Sequence, residues 1–325
     1  MKILVTGGAG YIGSHMAETL VKNGHTPVVF DNLSYGHKDA MPKGVKLIVG
    51  DLNDEEALGK LFERENFEAV MHFSAFISMA ESVENPKIYF RNNVFNSLNL
   101  FDMMARFNVK KLIFSSTAGV YGNPHKLPIP EEHTCNPTNP YGESKLMVEK
   151  ILAWYDLSYG LKSISLRYFN AAGADLAGKN GEDHDPETHI IPIALKMALG
   201  QNESFEIYGN NYQTRDGTCV RDYVHVLDLV NAHLLALDKL ANNGQSDVYN
   251  VGIGVGYSNK EVVEMVKKVT GVNFSVEYSA RRAGDASELV ASADKIKEEL
   301  GWQPEYSDLE TIVATAWKWH KNHPE

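Results

Sequence analysis

The chain has 325 residues, 43% of them hydrophobic and 22% charged, with a net charge of −11 and a pI near 5.6. That balance belongs to a globular protein long enough for two domains, and its acidity speaks against nucleic acid or an anionic membrane as partner. Cys135 and Cys219 are far apart and in no C-x-x-C pattern, so neither a disulfide framework nor a zinc site is expected, and a reducing cytoplasm fits. The apolar start is too short for a leader peptide, and no stretch approaches a membrane span.

Ile3 to Val5 is a short apolar run of the kind that a parallel strand buries on both faces. Gly7, Gly10 and Gly13 follow, and His15 to Val21 reads as helix. A strand that turns through glycines into a helix aims backbone N–H groups and a positive helix end at one point, which suits a pyrophosphate. The spacing is G-x-x-G-x-x-G, so the motif draws its strength from context. The next strand, Thr26 to Phe30, ends in Asp31, an acid placed to accept from an adenosine ribose and to repel a 2′-phosphate. The expected cofactor is NAD.

Strands are expected at Val45 to Gly50, Ala69 to Phe73, Lys111 to Phe114 and Ser163 to Leu166, alternating with helices at Asn53 to Glu65, about Pro86 to Phe107, and Tyr141 to Tyr159. This alternation predicts an α/β fold: a Rossmann-like, doubly wound parallel sheet over residues 1–170. Ligands on such sheets lie at the carboxyl ends of the strands, where Asp31, Asp51, Phe73, Ser115 to Thr117 and Tyr168 to Asn170 should gather. Past Asn170 a Gly- and Asp-rich connection leads to mixed elements, so residues 171–325 are expected to form a smaller mixed α/β substrate lobe, with a strand near 248–251 that can return to the main sheet. Ser258-x-x-Glu261 and Ser307-x-x-Glu310 both read as capping boxes. Glu182-Asp-His-Asp185 reads as a solvated loop, and no metal is expected.

Tyr141-Gly-Glu-Ser-Lys145 carries the chemistry. Asn139 and Pro140 look like the N-cap and first residue of a helix, which puts Tyr141 and Lys145 on one face, continued by Val148, Leu152 and Tyr155. A free phenol titrates near ~10 and is a poor base at neutral pH. A nearby ammonium and a cationic nicotinamide ring would stabilise the phenolate. Tyr141 could then take a proton from a sugar hydroxyl oriented by Thr117. The same spacing also describes an exposed tyrosine beside a solvated lysine; the dinucleotide fold before it and Ser115-Ser-Thr117 favour the catalytic reading.

These motifs resemble those of the extended short-chain dehydrogenase/reductase family. They run from Thr6-Gly-Gly-Ala-Gly-Tyr-Ile-Gly-Ser-His15 through Asn92-Asn-Val94, Phe114-Ser-Ser-Thr-Ala118 and Tyr141 to Glu149. Later ones, Arg167-Tyr-Phe-Asn170, Asp216-Gly-Thr218, Arg221-Asp-Tyr-Val-His-Val226 and Arg281-Arg-Ala-Gly-Asp285, point to its nucleotide-sugar epimerases. The resemblance implies interconversion of UDP-galactose and UDP-glucose through a 4-keto sugar, with Tyr141 as base, Lys145 as its modulator and Thr117 as third catalytic group. It implies NAD contacts from Gly7, Gly10, Tyr11, Ile12, Asp31, Asn32, Asp51, Leu52, Phe73, Ala75, Asn92 and Phe169, besides Tyr141 and Lys145. It implies UDP-sugar contacts from Asn170, His189, Ile190, Glu206, Tyr208, Arg221, Arg282 and Asp285, besides Thr117.

Arg221 and Arg282 make chemical sense as diphosphate clamps, and equal sense as ion-pair partners of Asp222 or Asp285. Ile77 stands where some relatives carry a lysine, and Leu289 where side-chain bulk limits the sugar's C2 substituent, which leaves N-acetylhexosamine, pentose and uronate substrates open. A 4,6-dehydratase would want carboxylates directly after Thr117, where Ala118 and Gly119 stand; an NAD-sensing regulator without catalysis would not need Thr117, Tyr141 and Lys145 together. A homodimer through the helices near 86–107 and 141–159 is the family-based expectation.

Overall fold

The computed structural model describes residues 1–282 and 285–323; Ala283 and Gly284 of the Arg281–Asp285 motif lie outside the described residues. In chain order the elements are β1 (Lys2–Thr6), α1 (Tyr11–Lys22), β2 (Thr26–Asp31), β3 (Lys46–Val49), α2 (Glu55–Glu65), β4 (Ala69–His72), α3 (Met79–Glu84), α4 (Pro86–Tyr89), α5 (Asn96–Arg106), β5 (Lys111–Ser115), α6 (Pro140–Tyr159), β6 (Lys162–Tyr168) and β7 (Asn170–Ala172). There follow α7 (Ile190–Ala198), β8 (Glu206–Tyr208), β9 (Val220–His225), α8 (Val226–Ala241), β10 (Asp247–Val251), β11 (Gly256–Ser258), α9 (Asn259–Thr270), β12 (Glu277–Ser279), β13 (Glu288–Leu289), α10 (Asp294–Leu300) and α11 (Leu309–Asn322).

Seven strands form one sheet in the order β10-β6-β5-β4-β1-β2-β3, with β1 to β6 parallel. Their apolar runs are buried on both faces, as parallel strands require: Ile3, Leu4, Val5, Val70 and Leu112 have no exposed surface. Because these strands share a direction, Thr6, Asp31, His72 and Ser115 close their strands at one edge. The helix expected at 86–107 is interrupted by a π-helical turn at Phe90–Phe95, and it points Asn93 inward: its side chain accepts from Phe76 N–H at 2.8 Å and donates to Ser144 Oγ at 3.1 Å.

The chain divides into two compact units. The first comprises Met1–Gly122, Thr134–Arg167 and Val230–Tyr249; the second comprises Asn123–His133, Tyr168–Leu229 and Asn250–Glu325. The core of the first unit packs Leu4, Phe30, Phe62, Leu100, Phe114, Val148 and Leu152. Val148 and Leu152 are on the α6 stripe read from the sequence, with Tyr155 packed at its margin. The second unit has its own core of Ile191, Leu195, Phe205, Val262, Val266, Ile312 and Val313. Its chain segments are stitched by buried carboxylates: Asp228 accepts from Glu305 N–H, Tyr306 N–H and Ser307 Oγ, and Asp222 accepts from Ile253, Gly254 and Ala291 N–H. Burial pushes the Asp222 carboxyl up to about 6, against those three donors.

Of the two capping boxes expected, that of Ser258 and Glu261 is present in both directions. That of Ser307 is not formed. The Ser307 hydroxyl is taken by Asp228 and by His225 N–H, and Asp308 caps α11 instead, accepting from Thr311 N–H at 2.9 Å.

Candidate active site

The turn after β1 is built around glycine for steric reasons. Gly7 has a φ of +69°, and a Cβ there would meet Ser74 N at 2.6 Å; a Cβ on Gly13 would lie 2.2 Å from Gly7 O. Gly10 differs, since its Cβ would meet nothing nearer than Gly7 O at 3.4 Å. Helix α1 opens on Gly10 with no side-chain cap and no acidic residue in its first turn. The N-termini of α2, α6, α9 and α11 are capped by Asp54, Asn139, Ser258 and Asp308. A helix end left bare beside an open approach, with the Tyr11, Ile12 and Gly13 N–H groups at its mouth, fits a diphosphate.

Asp31 shapes the same turn. Its carboxylate accepts from Ala9 N–H at 2.9 Å and Leu33 N–H at 2.8 Å, so it locks the glycine turn to β2 while retaining lone pairs for a ribose. Asn32 donates to Asp51 at 2.7 Å, which joins the ends of β2 and β3. Asn32, Asp51 and Asn92 line a cavity of about 600 Å³ together with Phe76 and Asn96. Leu52 is buried, with its carbonyl accepting from Asn99. The Phe73 ring lies 4.9 Å from that of His233, and Ala75 follows on the same connection after β4. All of these belong to the first unit. Phe169, given a cofactor role by resemblance, lies in the second, where its N–H donates to Val251 O.

Thr117, Tyr141 and Lys145 come together in the first unit. Asn139 caps α6 through Gly142 N–H at 2.9 Å, with Pro140 in the first turn, as the sequence suggested. A Cβ on Gly142 would lie 2.6 Å from Gly119 O, so glycine lets the turn carrying Thr117 approach the helix carrying Tyr141. The two hydroxyls hydrogen-bond. Lys145 is buried, donates to Ser115 O at 2.8 Å, and lies 5.0 Å above the Phe114 ring.

The electrostatics of the chain alone differ from the expectation. Burial pushes the Tyr141 phenol up, and the Thr117 hydrogen bond pulls it part of the way back. Burial also depresses the lysine, to about 7, with Glu149 opposing. The ammonium donates to the strand end at Ser115 O.

Glu149 is a buried residue beside the candidate site to which the sequence reading gave no role. It continues the face one turn beyond Lys145, pairs with Arg167 at 2.6 Å, and accepts from Ser116 Oγ at 2.5 Å; Arg167 also donates to Tyr121 OH at 3.0 Å. Both partners are buried, so neither charge has water as an alternative. The i+4 spacing from Lys145 was the available signal.

In the second unit, Tyr208, Arg221, Arg282 and Asp285 are joined. Arg221 lies 3.7 Å from Asp285, and the Arg282 guanidinium stacks 3.9 Å above the Tyr208 ring. Asp222 is no partner of Arg221, because its carboxylate is spent on backbone donors. Asn170 donates to Asp222 O, and Glu206 accepts from Ser279 on the neighbouring strand. Ile190 opens α7, preceded by His189. The loop before α7 corrects the sequence reading: Glu182 and Glu187 side chains are only 6% and 5% exposed, and both carboxylates lie against His189 Nδ1 at 2.8 and 3.0 Å. Burial disfavours the charged imidazole, yet the two carboxylates outweigh it and hold His189 well above its ordinary range.

A family model described as GDP-mannose 4,6 dehydratase matches residues 4–315. The UDP-glucose 4-epimerase of Halalkalibacterium halodurans is 49% identical, covering 100% of this chain and 97% of that one. This chain belongs to the UDP-glucose 4-epimerase family. Among solved members of this family, the Brucella ovis enzyme in complex with NAD superposes with a TM-score of 0.94 at 46% identity, over 97% of each chain. The Bifidobacterium longum enzyme in complex with NAD+ and UDP gives 0.95 at 37%, over 100% and 99%. The residues after Thr117 suit an epimerase better than the dehydratase of the model's description: Ala118 and Gly119 begin a short 3-10 turn and offer no acid or base.

Proposed function

We propose that this chain is an NAD-dependent isomerase that interconverts UDP-galactose and UDP-glucose by oxidation and reduction at C4. The observation that carries the reading is the buried Thr117–Tyr141 hydroxyl pair at the end of β5, on a fold whose first helix end is bare for a diphosphate. NAD, held by the glycine turn, Asp31 and the Asn32–Asp51 pair, supplies a hydride acceptor at C4 and a positive ring that favours the phenolate.

Thr117 holds the sugar hydroxyl and Tyr141 takes its proton as the C4 hydrogen departs; Tyr141 returns that proton after the 4-keto sugar has turned. Lys145 and the Glu149–Arg167 pair keep the end of β5 in place. Arg221 and Arg282 hold the diphosphate by paired N–H donors, so the nucleotide stays fixed while the sugar rotates about its phosphate linkage. Leu289 pairs with Arg221 across β13 and β9, which puts its intermediate bulk beside the same clamp and leaves an N-acetyl sugar as a second substrate. Incubation with UDP-galactose, UDP-N-acetylgalactosamine and UDP-arabinose, with no added reductant, tests the substrate. Conversion of UDP-galactose to UDP-glucose is expected; turnover of another sugar without it would overturn the assignment.

We also infer a homodimer. Trp154 and Leu157 on α6 and Phe95 before α5 are 67%, 77% and 50% exposed, a larger apolar display than an isolated helix pair requires. Sedimentation at micromolar concentration should give a dimer; a monomer alone would refute it. We also propose a cytoplasmic location, which two cysteines outside any disulfide support; no described helix is long and apolar enough to cross a membrane.

A further inference from the structure

Glu182, His184, Glu187 and His189 meet in the second unit, ahead of α7, with their ligand atoms all within 4.8 Å of one another. Two features set them apart from an ordinary ion-pair cluster. The donor set mixes imidazole nitrogens with carboxylate oxygens. And the pairing is incomplete: His189 Nδ1 is shared by the two carboxylates, while the buried His184 Nδ1 and Glu187 Oε2 make no hydrogen bond among the described residues. The Glu187 side chain is only 5% exposed, so the orphaned oxygen has no ready access to water.

The separations are informative. His189 Nδ1 lies 2.8 Å from Glu182 Oε1 and 3.0 Å from Glu187 Oε1. His184 Nδ1 lies 3.3 Å from Glu182 Oε1 and 3.9 Å from Glu187 Oε2. Four ligands at about 2.0–2.1 Å from a tetrahedral ion are about 3.3 Å apart along the edges. The separations that involve Glu182 Oε1 and the orphaned Glu187 Oε2, at 2.8, 3.3 and 3.9 Å, bracket that value, and one central ion would satisfy both orphaned atoms.

We propose that Glu182, His184, Glu187 and His189 form a divalent transition-metal site, of the type that takes zinc. Two imidazoles select zinc-like ions over magnesium or calcium, which prefer all-oxygen sets. With four protein ligands the site is closed, and its role is structural. It fixes the loop to the start of α7; Trp319 on α11 already anchors that loop by donating to Glu182 O at 3.0 Å. The site uses only Nδ1 of His189.

The test is cobalt substitution. Tag-free protein is stripped with a strong chelator and titrated with cobalt(II) or zinc chloride. One ion per chain is expected, with the intense visible bands of four-coordinate cobalt and no thiolate charge-transfer band. Glu187→Gln and His184→Ala should each lose the bands and the retained zinc, while their NAD content and stripped-state thermal midpoint match those of the stripped parent. A parent chain without four-coordinate bands, bands carrying thiolate character from Cys135 or Cys219, or both variants retaining zinc like the parent would overturn the proposal. If a variant fails to fold, the parent spectrum alone decides, since it is read on the unaltered chain.

Discussion

The two groups of candidate functional side chains are held in different ways. In the first unit, Thr117, Tyr141 and Lys145 are buried, hydrogen-bonded to one another or to the strand end, and backed by the Glu149–Arg167 pair. In the second, Arg282 is exposed and rests on the Tyr208 ring, while Arg221, 13% exposed, donates to Val220 O at 2.9 Å and lies 3.7 Å from Asp285. The groups we propose to move protons are fixed by packing, whereas of the two arginines proposed to grip the diphosphate, Arg282 is exposed and Arg221 is held at its own strand. Preorganisation suits the first task and adaptability the second.

The sharpest way to break this comparison is Tyr141→Phe. The account expects a loss of roughly 10²–10⁴ in turnover, the range of general acid–base catalysis, with NAD content and UDP affinity unchanged. Near-parental rates would remove the phenol from its role. Arg221→Ala or Arg282→Ala should do the reverse: UDP binding by calorimetry weakens by about 10–100-fold, as loss of a charged hydrogen bond of about 1.5–3 kcal/mol implies, with NAD retained.

Lys145→Met probes burial through pH. The folded lysine titrates near 7 and an ordinary one near 10.5, so in that window the unfolded chain binds more protons and folded stability rises with pH; below 7 the penalty is constant. Urea unfolding at pH 7 and 9 should show the parent gaining about 2 kcal/mol that Lys145→Met does not gain. The smallest effect is expected for Asp31→Asn, which keeps one acceptor of two and should weaken NAD binding by about tenfold or less, read by fluorescence titration.

What could be read from the sequence was local. The apolar strand runs, the glycine turn and the Asn139–Pro140 helix start each reside within a few residues, and β1, α1 and α6 lie where those signals put them. What escaped depends on partners distant in sequence. Glu149 was quoted within a motif without a role, because its partner Arg167 is on another element. The loop at 182–189 looked polar and solvated, yet Trp319, more than a hundred residues on, covers it. Ser307 matched a capping box by spacing, but Asp228 competes for the same hydroxyl. Tyr141 and Lys145 were placed on one face correctly, while the burial that raises the phenol in the chain alone has no local signature.

The central claim is that hydrogen removed at C4 returns to C4 of the same sugar. UDP-galactose deuterated at C4, incubated with the protein in ordinary water and no added nucleotide, measures this directly. The account predicts UDP-glucose that retains deuterium at C4; product whose C4 deuterium has been exchanged for solvent hydrogen would contradict it.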